Sequence, residues 1–188
     1  GPYKSSNLSK AYKFAASANN SRYTVTFDAE HYYPSLLEPV MFIASPIFSE
    51  SEKIGVLVFQ IPISSIDDIL YGDKPEDIVT VNEVCRVNII GDDRYLRNND
   101  IRLLKDKDEF IKSLKKAKVD IQTVNEIERY STSSLIQNVD KELASVAGKG
   151  YPGKGRYKDI TKEKIICTYT PLDIKDLKWT IIAQANQK

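Results

Sequence analysis

One histidine, His31, and two cysteines, Cys85 and Cys167, are all the imidazole and thiol chemistry the sequence holds. Any Ser–His or Cys–His nucleophilic pair would have to use His31, which stands between Glu30 and Tyr32-Tyr33 with no nucleophile elbow beside it. A structural zinc site wants four nitrogen or sulfur ligands, and these three residues fall short of that. The carboxylate pairs Asp67-Asp68 and Asp92-Asp93 read as a helix start, favoured by the helix dipole, and as a turn. Gly148–Gly153 fits G-x-G-x-x-G, and Gly148–Lys154 fits G-x-x-x-x-G-K. Both phosphate cradles need a strand before the loop and a helix after it, so that backbone N–H groups converge on the anion. Here the order is helix then strand, and Gly155 stands where the second motif needs Ser or Thr, so the loop reads as a turn. The sequence calls for no cofactor and offers no catalytic constellation.

What remains is recognition chemistry. Eleven tyrosines stand against six phenylalanines and one tryptophan, and a phenol brings to a pocket an apolar body with one polar tip. Tyr32 and Tyr33 lie in a loop just before an apolar strand, and Gln60 is the lone polar residue of the next one. A polar side chain in an interior strand must find a partner in backbone, water or ligand. Tyr95 and Arg97 follow a later strand and Tyr169 lies on another, which outlines a second candidate pocket. The alternative places Tyr23, Tyr157 and Tyr169 as half-buried strand residues and Arg97 as a solvated loop charge. Cys85 and Cys167 are either one bridge or two buried thiols packing as small hydrophobes.

The elements that must position these side chains follow from periodicity. Helical spacing of Leu8, Ala11, Tyr12, Phe14 and Ala15 predicts a helix over Asn7–Ala18. Ser21–Ala29 alternates as a half-buried strand, and Glu30–Glu38 is a loop. Residues 40–48 and 54–61 are apolar on both alternating faces, as expected of interior strands joined by the Ser49–Lys53 turn. Ser64 and Asp67 form an S-x-x-D capping signal for a short helix. Gly72–Val79 is polar and aperiodic, a boundary between modules. Glu83–Ile90 is a strand, Arg94–Asp106 a charged loop, Asp108–Val119 a helix, and Thr132–Val146 a helix stopped by Gly148. Gly155–Ile160, Lys164–Pro171 and Leu177–Ala185 are three antiparallel strands, with Asp173–Asp176 as the last turn.

A chain of 188 residues with 41% hydrophobic and 28% charged residues is ordinary for a globular protein. A net charge of +1 provides no basic field for nucleic acid or an anionic membrane. The apolar runs fall well below the roughly 20 residues that cross a bilayer, and no leader peptide is visible. The chain reads either as cytosolic or as an ectodomain separated from its membrane anchors.

FIASPI…IGVLVFQIPI over Phe42–Ile63, VNIIGDDRYLRNND over Val87–Asp100 and YTPLDIKDLKWTIIA over Tyr169–Ala183 resemble the double Cache (PAS-like) sensor domains of bacterial transmembrane receptors. The last is the most specific of the three. The likeness covers essentially the whole chain. It implies an α+β fold of PAS-like antiparallel sheets with flanking helices: residues 1–72 as the later part of a membrane-distal module, 73–79 as a linker, and 80–188 as a membrane-proximal module. Only about three strands precede Gly72, so on this likeness the first half of the distal module is either missing or begins outside this chain.

The resemblance also implies a non-enzymatic ectodomain, periplasmic or extracellular, of a chemotaxis, cyclase or histidine-kinase receptor. Such a domain binds a small molecule, works as a homodimer and has no nucleic-acid partner. Amino-acid-binding members hold the ligand's ammonium with a carboxylate and a tyrosine at positions that fall here at about Gln60 and Tyr32. Gln60 departs from that pattern, because a neutral amide cannot neutralise an ammonium, and this argues against the amino-acid class. The second reading is a ligand-free structural or dimerisation module.

Overall fold

A computed structural model describes residues 3–72 and 85–187. Two compact units divide the chain, one of Gly1–Ser65 with Ile174–Leu177, the other of Ile66–Asp173 with Lys178–Lys188. The proposed linker 73–79 and the start of the Glu83–Ile90 strand lie outside the described residues.

The first unit is a helix on a three-stranded antiparallel sheet. Helix α1 (Asn7–Ser17) is capped by Ser6, whose side chain accepts from Ser9 N. Ala11 and Ala15 are fully buried, and their small side chains bring the helix close to the sheet. Strands β1 (Val25–His31), β2 (Pro39–Ser49) and β3 (Glu52–Pro62) pair in the order β1-β2-β3. Register places Val40, Phe42 and Ala44 opposite Pro62, Gln60 and Val58 on one face, where Val40, Phe42, Ala44 and Val58 pack in a cluster with Ala11 and Ala15 of α1.

One expectation fails here. β3 stands at the edge of its sheet among the described strands, not in an interior, and Leu57, Phe59 and Gln60 are exposed. Continuous apolarity along a strand reports apolar faces, but it cannot say whether a neighbour covers them.

The second unit is a four-stranded antiparallel sheet in the order β4-β7-β6-β5, formed by β4 (Arg86–Ile90), β5 (Gly153–Lys158), β6 (Lys164–Pro171) and β7 (Thr180–Asn186). Between β4 and β5 run α3 (Ile101–Lys105), α4 (Lys107–Lys116), α5 (Ile121–Tyr130) and α6 (Lys141–Ala147). Each begins at an aspartate that accepts from a backbone N–H of the first turn: Asp100, Asp106, Asp120 and Asp140. Acidic residues open α4 and lysines close it, as the dipole favours. Apolar residues of α4 and α5 pack with Leu103 and Ile136 in one cluster, while Ile90, Leu143, Ile165, Cys167 and Ile182 form another on the sheet.

The α+β class with antiparallel sheets is therefore observed. Three element expectations need correction. The loop expected at Arg94–Asp106 ends in α3, nucleated by the Asp100 cap. Ile121–Tyr130, where no helix is expected, forms α5. The single helix expected over Thr132–Val146 is instead an irregular stretch followed by α6, because Ser133, Leu135 and Gln137 are spent on contacts with the Leu96–Asp100 segment. Asp67 also departs from its capping role. In α2 (Ser64–Tyr71) its carboxylate turns away to accept both the backbone and side-chain N–H groups of Asn99 at 2.7 Å. Both cysteines are free.

Candidate functional site

In the first unit, chain geometry gathers three of the expected residues around one tight loop. Ser35 N and Leu37 N both donate to Tyr32 O, at 3.0 and 3.1 Å, curling Tyr33–Ser35 into a single 3-10 turn. Leu36 and Leu37 close the loop at φ of 55° and 67°, a left-handed conformation that disfavours both side chains. The turn faces adjacent tyrosines in different directions. Tyr32 is buried, with its ring edge-on to Phe42 at 5.2 Å and near Tyr3 at 6.1 Å. Tyr33 is 71% exposed. Gln60 Nε2 donates to Ser35 Oγ at 2.8 Å, so the amide ties β3 to the loop and keeps an oxygen for other partners. His31 Nδ1 lies 3.0 Å from Leu37 O and braces the same loop. Tyr33, Gln60 and Leu36 thus present a phenol, a neutral amide and an apolar side chain at one corner of the unit.

The other three expected residues lie in the second unit, each in a different setting. Arg97 is 2% exposed, not a solvated loop charge. Its guanidinium rests on Gly91, where an added Cβ would come within 2.0 Å of Nη2. It donates to Tyr95 O and to Asp93 Oδ2, both at 2.9 Å. The glycine of IIGDD therefore makes room for a buried clamp. Tyr95 is half-buried and makes a β-bridge to Asn138. Tyr169, on β6, lies over Gly153, where a Cβ would come 2.3 Å from its Oη. Tyr157 covers Gly155 in a similar way. Over β5 the inner sheet face is thus covered by its own phenols.

A cavity among the described residues uses side chains that sequence reasoning missed. A groove of about 430 Å³ is lined by Arg86, Arg102, Glu109, Phe110, Glu163 and Asn186, among others. This volume is within the range that holds small molecules. Four charges set its floor. Asp159 Oδ2 accepts from Arg86 Nη1 at 3.1 Å and from Arg102 Nη1 at 2.8 Å, and Asp100 Oδ2 accepts from Arg102 Nη2 at 2.8 Å. Arg102 also lies over the Phe110 ring at 5.1 Å. Burial alone would raise the Asp100 carboxyl, but the charge and hydrogen bonds of Arg102, with Arg86 behind, bring it down to about 2. The two arginines are thus neutralised from below, and Glu109 and Glu163 add negative charge at the rim.

Two signals were open to a sequence reader: an arginine inside the strand EVCRVNII, and an aspartate closing RNND at a helix start. Arg86 meets Asp159 across 73 residues, and Arg102, beside Asp100, meets the same Asp159 across 57, which no local pattern encodes.

A third buried network joins α2 to the Asn98-Asn99 segment. Tyr71 Oη donates to Val87 O at 2.6 Å and accepts from Asn98 Nδ2 at 3.0 Å. Burial raises the Asp67 carboxyl, and the Asn99 bonds only partly offset this.

Comparisons with known proteins bear on the fold. No protein-family model matches the sequence, and no curated protein is similar to it at a significant level. Solved structures are similar in shape. The periplasmic sensory domain of the Campylobacter jejuni chemoreceptor Tlp1 superposes with a TM-score of 0.58 at 11% identity, covering 99% of this chain and 56% of that one. The ligand-binding domain of the Pseudomonas aeruginosa amino acid chemoreceptor PctC, in complex with GABA, gives 0.52 at 12% identity, covering 93% and 60%. The extracellular domain of the putative histidine kinase mmHK1S-Z3 gives 0.50 at 14%, covering 98% and 55%. The chain therefore has the PAS-like Cache fold of these sensory domains and spans less than two thirds of their length.

Proposed function

We propose that the chain is part of the extracytoplasmic ligand-sensing region of a bacterial transmembrane receptor, binding a small molecule and passing a conformational signal without catalysis. The observation that carries this reading is the likeness to the Tlp1 sensory domain over 99% of the chain. No helix of the described residues is long and apolar enough to cross a membrane. The three-stranded unit belongs to the membrane-distal part, and the membrane-proximal module, from about residue 80, makes up most of the four-stranded unit. The Tyr33–Leu36 loop with Gln60 is the distal contact for ligand, and the groove over Arg86 and Arg102 is the proximal one.

PctC is described with GABA bound, but the neutral Gln60 amide fits a ligand group that is uncharged where an amino acid carries its ammonium. Thermal melting against amino acids, amines, organic acids and purines tests the reading. A ligand at about 100 times its Kd stabilises by about 2.7 kcal/mol. That is about 5–10 °C for a chain of this size. A flat response across all four classes would overturn it.

A second reading, a structural or dimerising module, is favoured for the four-stranded unit by the inner face over β5 that Tyr157 and Tyr169 cover. Under that reading, ligand-induced shifts vanish on changes at Tyr33 and Gln60 and survive changes lining the groove. Sedimentation would then find a homodimer.

A further inference from the structure

The inner face of the four-stranded sheet is polar at one end. Register puts Asn88 of β4 beside Ile182 and Arg86 beside Gln184 on β7, and all four are buried. Across from them Gln137, in the segment before α6, is 3% exposed. Its Nε2 donates to Asp100 Oδ2 at 3.2 Å, which assigns the amide's orientation, since the ionised carboxylate only accepts. Gln137 Oε1 is therefore an acceptor, and no donor among the described residues reaches it or Asn88 Oδ1. Both residues line one cavity of about 10 Å³, together with Gln184, Leu143 and Asp159. Buried acceptors without donors are rare because each forfeits its hydration, and two beside one cavity point to a shared partner.

We propose that this cavity is a built site for one small neutral molecule that donates two hydrogen bonds. At its volume that molecule is water, bridging Asn88 of the sheet to Gln137 of the helical insertion. A cavity of roughly 10–15 Å³ is the least that holds a water, which then needs two to four polar partners. Water donates twice, which matches the two acceptors, and Gln184 provides a further polar wall. Arg102 and Lys158 line the same cavity with Asp140 and Asp159, so the lining supplies no net negative charge to hold a monovalent cation. A guest with a carbon skeleton exceeds the space. The site is thus a water-bridged joint between sheet and insertion.

Water-to-amide cross-relaxation in the unsubstituted protein tests this, read at the side-chain NH2 signals of Asn88, Gln137 and Gln184. Long-lived contacts from one water to the Asn88 and Gln137 amides are expected, and their absence overturns the site. Asn88→Leu gives opposite signs for the two cases. With the bridge present, the change strands Gln137 Oε1, and the melting temperature of the second unit falls by about 2–4 °C. In a dry cavity the same change removes an unpaired acceptor, and the melting temperature holds or rises. A variant that does not fold leaves the relaxation result to decide.

Discussion

Asp159→Asn is the sharpest test of how the second unit is held together. The substitution keeps the shape and removes one charge from a site where a single carboxylate oxygen serves two arginines, at 3.1 and 2.8 Å. The other oxygen accepts from Thr161 Oγ1 at 2.8 Å and from Glu163 N at 3.0 Å. Removing one partner of a buried ion pair costs about 3–5 kcal/mol, because the other charge stays buried and uncompensated. The lower end applies here. Arg102 keeps Asp100 and its side chain is 23% exposed, whereas the Arg86 side chain is 8% exposed and is left with the Asn186 amide.

The expected loss is therefore about 3 kcal/mol. With an m-value of about 2 kcal/mol/M, the urea midpoint falls by about 1.5 M at unchanged slope. Trp179 is the only tryptophan and is buried in this unit, so its fluorescence reports the transition directly. Arg86→Met in the same background removes the stranded charge and should return a large part of the loss. A loss below about 1 kcal/mol, or one unchanged by Arg86→Met, would refute the buried ion cluster as the source of stability.

Acid should weaken the same unit in a defined window. The folded Asp100 carboxyl sits at about 2 against an ordinary 3.8, so its stabilisation is complete above 3.8 and disappears as pH falls towards 2. The Trp179 urea midpoint should drop over that range, and Asp100→Asn should flatten the drop. Gly91→Ala should cost about 1–3 kcal/mol, since the new methyl meets the Arg97 guanidinium, and Arg97→Met should relieve it in the double variant. Leu36→Asn should raise the stability of the first unit by about 0.5–1 kcal/mol in calorimetry, because Asn tolerates the left-handed backbone that Leu36 holds while 93% exposed.

The elements were legible wherever local periodicity was strong. Alternation in RYTVTF and the apolar runs on either side of Ser49–Lys53 led to β1, β2 and β3, and KIICTYTP marks β6 at its observed bounds. α5 was hidden because IQTVNEIERY carries just two buried apolar residues, Val124 and Ile127. Gln60 was seen as the odd polar residue of its strand, but its partner Ser35, 25 residues earlier, was not. Arg97 looked like a loop charge because nothing local shows that Gly91 opens a buried seat for its guanidinium.

The chain's composition and patterning, by themselves, determined the α+β class, the antiparallel hairpins and the likeness to sensor domains. These are statements about period, residue type and short spacing, which a linear chain carries in full. Tertiary structure alone decided which polar residues became buried partners. Arg86, Arg102, Asp100 and Asp159 meet across up to 73 residues, and Asn88 and Gln137 face one cavity from sheet and insertion. A charge or amide states in sequence only that it needs a partner. Which one it meets is set when packing removes water and leaves a single group within reach.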